Sequence, residues 1–190
     1  KLTAVINALD QPDTQDPLGL TRSQFAANPR QVVAAALTQN TRKSIDHRQG
    51  GLIYEQPVAG GDIVRVAGYG GSRDVTQYLS IPLAAQASAT SSGGVVDLDR
   101  TFGGGSLRYT AIRDTGAGKL TLTGGLEYER MDERRRGFVN NNGVAGPLKR
   151  DEDDSVSTTD VFAILEWPFA RQWVLAGGLR NSRVRFKTDD

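Results

Sequence analysis

The chain has 190 residues, a net charge of +1, 38% apolar residues and no cysteine. That near-neutral balance speaks against a general nucleic-acid binder, and the missing cysteine removes disulfides and thiolate metal sites. No run approaches the ~18 consecutive apolar residues of a transmembrane helix, and the first ten residues, KLTAVINALD, lack the apolar core of a signal peptide.

Taken in chain order, seven antiparallel strands are expected, at 2–12, 41–56, 62–80, 95–113, 119–139, 156–167 and 173–187. Three short connections, VAGGD (58–62), DTGAG (114–118) and PFARQ (168–172), alternate with three long ones, 14–40, 83–94 and 140–155. Short turn, long strand, long loop, long strand is the pattern of an up-and-down meander with unequal ends. Several strands approach 20 residues, whereas a soluble strand usually has ~5–6. In the first long loop Asn28 can cap a short helix that has Pro29 in its first position.

The fifth strand carries the clearest alternation. Leu120, Leu122, Leu126 and Tyr128 share one side, expected to face outward to lipid, and Thr121, Thr123, Glu127 and Glu129 share the other, expected to face a polar lumen. Period two with one apolar face fits a soluble sandwich and a membrane barrel equally. Aromatic placement favours the barrel. Trp167 and Trp173, the only tryptophans, flank one short turn, and Tyr128 stands ten residues beyond Gly118. Ten residues at ~3.3 Å rise and ~45° tilt climb roughly 23 Å, close to the ~25 Å apolar band of an outer-membrane barrel with its aromatic girdles. Past Tyr128 the strand becomes ionic, ERMDERRRG, as it should on leaving the bilayer.

Other motifs read blandly. GAGK at 116–119 lacks the preceding glycine and following Ser or Thr of a phosphate loop. GYGGSR (68–73) and TFGGGSLR (101–108) are glycine runs inside strands. His47 is the only histidine, so neither a metal site nor a catalytic triad is built on it, and DEDDS (151–155) lacks the spacing of a calcium loop. No nucleophile–base pair or carboxylate constellation marks an enzyme, and no cofactor is implied.

The pieces NTRKSIDHRQGGLIYEQ, VRVAGYGGSRDVTQYLSIP, LTLTGGLEYERMDERRRGF, KRDEDDS and LAGGLRNSRVRFKTDD resemble the barrel of TonB-dependent outer-membrane receptors, most of all the ferric-siderophore type. The resemblance implies residence in the Gram-negative outer membrane and binding and import of a ferric siderophore or similar solute. It also implies contact with outer-membrane lipid and energy coupling to TonB through a region preceding Lys1. Seven strands are too few for a barrel of about 22. Residues 1–190 therefore read as an internal section of the barrel domain, with the plug and the closing strands outside it. Ligand contacts implied for an anionic chelate are Arg73 and Tyr78 at the outer end of the third strand and Arg134, Arg136 and Phe138 at that of the fifth; the competing explanation for the arginines is pairing with the neighbouring acids Asp74, Glu133 and Asp132, which leaves little net attraction. Arg108 ranks lower because it lies near the periplasmic end. The competing reading is a soluble or surface-exposed β-sheet binding or adhesion module.

Overall fold

The computed structural model describes all 190 residues. They form one seven-stranded antiparallel sheet in which spatial order equals chain order. The strands are β1 (Leu2–Gln15), β2 (Arg42–Pro57), β3 (Ile63–Tyr78), β4 (Val95–Thr115), β5 (Gly118–Asn141), β6 (Val144–Ala170) and β7 (Trp173–Asp189). The outer β1–β2 connection carries helices α1 (Arg22–Ala27) and α2 (Ala34–Thr38), and the β3–β4 connection carries α3 (Leu83–Gln86). The three short turns gather at one sheet edge, as the meander requires, and the longer β1–β2 and β3–β4 connections lie at the other.

Two expectations are corrected. The stretch 140–155 is no long loop: β5 and β6 continue through it to a two-residue turn at Asn142–Gly143. Both turn residues have positive φ, 50° and 89°. This is the backbone of the tight hairpin turns that Asn-Gly favours, because their twist matches that of the flanking strands. The acidic run DEDDS suggested a solvated loop, yet a strand standing in water can be charged on both faces. Pro147, which cannot donate to a ladder, sits where the β5–β6 register shifts. The second correction concerns the first loop. Thr21, not Asn28, caps a helix: its side chain accepts from the Gln24 N–H while Gln24 reaches back to the Thr21 N–H. Asn28 is the C-cap of that same helix. Asn28-Pro29 therefore ends α1, consistent with the rule that the residue before proline avoids the helical region.

Only 12 of 190 residues are buried, and Ala36 and Val95 are the only apolar ones among them. A soluble sandwich would bury its apolar faces between two layers; here there is one layer. Register gives the apolar face its composition. Leu122 pairs with Ala111 and Leu165, and Leu126 pairs with Leu107 and Val161. Leu107 continues to Val66, and Val66 to Tyr54. Leu122, Leu126 and Tyr128 are about half exposed, at 46–47%. The opposite face holds Thr121, Thr123, Glu127 and Glu129, and its side chains crowd one another. The Thr110 and Thr123 hydroxyls meet at 3.0 Å.

Candidate functional site: the inner wall

Successive residues point to opposite faces, so the register assigns every functional side chain to the polar inner wall or the apolar outer one. At the lower level of the inner wall Glu127 accepts hydrogen bonds from Arg108 at 2.5 Å and Arg180 at 3.1 Å. Arg180 also donates to Asp160 at 2.6 Å. Phe162 lies beneath both guanidiniums, with Arg108 5.4 Å and Arg180 5.9 Å from its ring centroid. This lattice spans β4 to β7 and satisfies charge with charge, so Arg108 is not a free cation.

One level higher, rings line the wall. His47 stacks on Phe102 with centroids 5.9 Å apart and planes 12° from parallel, and Tyr69 lies 6.5 Å from Phe102. Tyr69 donates to Glu129 at 2.9 Å. The rings rest where a neighbouring strand has glycine: a Cβ on Gly104 would come within 3.0 Å of the Tyr69 ring, and one on Gly125 within 2.4 Å of Phe162. The glycines thus make room for aromatics that cover bare backbone, an arrangement that pins register between strands. His47 Nδ1 is buried and has no hydrogen-bond partner.

The uppermost level is cationic. Arg73 is in register with His47 on one side and Arg100 on the other. Arg100 is taken by Glu133, and Arg150 by Glu152. Lys43, Arg73 and Arg135 make neither an ion pair nor a side-chain hydrogen bond.

The five ligand contacts anticipated from the sequence separate here. Arg73 is on the inner wall and unpaired. Arg134 and Arg136 share the face of Leu122, and each is engaged, Arg134 with Asp151 at 2.9 Å and Arg136 with Asp97 at 2.8 Å. Asp151 is held below the usual carboxylate range chiefly by its hydrogen bonds from Arg134. The Arg42 guanidinium covers Tyr78, 3.6 Å from the ring centroid. Phe138 sits at the β5–β6 register shift, paired with Val95 and Leu148. Arg135, Lys43 and His47 are the inner-wall residues that motif reading missed. The signal was the alternation itself: counting by twos from Thr121 through Glu127 and Glu129 reaches Arg135 and passes over its two neighbours.

On the outer wall the aromatic side chains occupy the level of the short turns. Trp167 and Phe169 lie 6.0 Å apart, and Trp173 is 67% exposed. Tyr109 donates to Asp62 at 2.5 Å. Asp62, in the short β2–β3 connection, also accepts the Ile112 N–H at 2.9 Å and a two-pronged contact from Arg113. Those donors, Arg113 foremost, hold its carboxyl far below the usual range. Tyr128 marks the opposite rim.

Residues 4–190 match the family model described as TonB dependent receptor-like, beta-barrel. The chain belongs to this family. The seven strands are therefore barrel wall of a TonB-dependent receptor in the Gram-negative outer membrane, in a family of receptors and transporters rather than enzymes. The reading as a soluble adhesion module is set aside by this match together with the absence of a second layer. In a barrel of this kind the short turns face the periplasm and the apolar face meets lipid. Arg73 and Arg135 are then on the inner face above the level of Tyr128, and Arg134 and Arg136 on the outer face.

Proposed function

We propose that this receptor takes up an anionic iron chelate of the ferric-siderophore kind, and that Lys43, Arg73 and Arg135 attract it on the upper inner wall. The observation that carries the reading is the contrast between walls. Above Tyr128, every cation on the outer face of β2 to β5 has an acidic partner, whereas three on the inner face have none. Cations without an acidic partner, gathered on one concave face, attract oxyanions better than cations already paired on an open face. His47 is in register with Arg73 and stacks on Phe102, and in this reading it supports the wall beneath that cation. Arg134, Arg136, Tyr78 and Phe138 belong in this reading to the supporting wall.

Residues 1–190 are one section of the barrel domain. A plug domain elsewhere in the receptor fills the lumen below these cations and carries the coupling to TonB, while lipid covers the face of Leu122 and Tyr128. The test is ligand binding to the complete receptor at low ionic strength. Arg73→Gln with Arg135→Gln should weaken binding of the ferric chelate at least about tenfold, the loss expected of two charge-assisted contacts. Arg134→Gln with Arg136→Gln should leave it within about twofold. Equal effects of the two pairs would overturn the assignment.

A further inference from the structure

At the outer rim the tip of the β5–β6 hairpin leans across its neighbours. Asn140, just before the turn, is completely buried, at 0% exposure. Its side-chain amide donates to Gln39 O, in the β1–β2 connection, and to Leu79 O, at the start of the β3–β4 connection, both at 3.0 Å. Its Oδ1 accepts the Gly143 N–H at 2.7 Å. The backbone joins in: Asn140 N–H donates to Gln86 Oε1 at 2.7 Å, and Gln86 Nε2 donates to Asn140 O at 3.3 Å. The amide has one workable orientation. Reversed, it would set an oxygen against two carbonyls and an N–H against another.

Further contacts run between the same segments. Gly94 N–H donates to Phe138 O at 2.8 Å. Arg42 Nη1 donates to Asn40 O at 3.1 Å and to Gly143 O at 3.3 Å. Gln86, itself buried, also donates to Ile81 O at 2.5 Å.

We infer that the β1–β2, β3–β4 and β5–β6 outer connections form one mechanical unit latched by Asn140, so that this part of the rim yields as a whole and not loop by loop. Surface loops ordinarily move independently because few buried contacts cross between them. Here a fully satisfied buried amide joins three of them, and removing it leaves buried carbonyl and amide groups unpaired in all three at once.

The test is hydrogen exchange on the complete receptor in detergent micelles. Asn140→Asp keeps the size and the acceptor for Gly143 N–H but loses both donations, to Gln39 and to Leu79. Exchange in 16–41 and 79–94 should rise together, by about tenfold or more, while the tip turn at 142–143 stays protected. Asn140→Ala should release all three segments. A change confined to one loop, or to the tip alone, overturns the latch. A measurement on the unaltered amide guards against a variant that fails to assemble. Spin labels at Leu37→Cys and Val144→Cys, both on exposed side chains, should give one narrow distance distribution. A broad or two-peaked distribution would also overturn the inference.

Discussion

The two halves of β5 share a backbone and a register yet obey different chemistry. From Gly118 to Tyr128 the outer face is leucine and tyrosine, and the inner face threonine and glutamate. From Glu129 to Asn141 both faces are ionic, and what distinguishes them is whether the charges are paired. Outward Arg130, Arg134 and Arg136 are each matched by an aspartate, Asp132, Asp151 and Asp97. Inward Arg135 is left free. Alternation decides facing in both halves, whereas the surrounding solvent decides which residue types each face tolerates. In lipid an unmatched charge is expelled; in water it costs little.

The largest expected effect breaks the lower half. Leu122→Arg should destabilise the complete barrel by about 2–4 kcal/mol in a bilayer unfolding titration, as for charges near the membrane midplane, and Thr123→Arg by much less. Equal costs would mean that the faces are misassigned. Next comes the ring-over-glycine fit. A Cβ on Gly125 falls 2.4 Å from Phe162, whereas one on Gly50 meets nothing within 4 Å. Gly125→Ala should cost about 1–3 kcal/mol by overpacking, and Gly50→Ala should be neutral or slightly stabilising. The same titration reads both.

Asp62 sharpens the contrast at the periplasmic turn. Its folded carboxyl is depressed, so its contribution is fully present above the unfolded value of about 3.9 and fades as pH falls toward the folded one. The stability gap between the native barrel and Asp62→Asn should therefore be constant at neutral pH and narrow only below about pH 4. A gap that narrows between pH 5 and 8 would show that Asp62 is not the group responsible. The smallest effect lies in the upper half. Asp151→Asn should change stability by only about 0–1 kcal/mol, because the Arg134–Asp151 pair stands in solvent. A larger loss would place that pair in a drier setting than its exposure suggests.

Seven strands, their order, the short turns and the apolar face were legible in the sequence, because a period of two and a Trp–turn–Trp pattern are local signals. The extension of β5 and β6 to Asn141 and Val144 was not read. A charge-rich stretch looks like a loop until its partner strand is known, and Asn142–Gly143 is a turn only if strands flank it. Facing of the upper cations was not read from the sequence. Arg73 was named for its place at the outer end of the third strand, and Arg134 and Arg136 for their composition, whereas the register puts Arg73 and Arg135 on the inner face and Arg134 and Arg136 on the outer one.

By itself the sequence determined which residues can share a face, since the pleat fixes that within each strand. Only the tertiary structure decided which charges are neutralised. Arg134 meets Asp151 and Arg100 meets Glu133 across strand boundaries, and Arg73 meets no acid on either neighbouring strand. Pairing of this kind depends on interstrand register, which is set by contacts distant in the chain. The same reason hid Asn140: its partners lie 54 to 101 residues away along the chain, apart from Gly143. No local pattern marks a buried amide whose acceptors reach it only when three connections fold over one another.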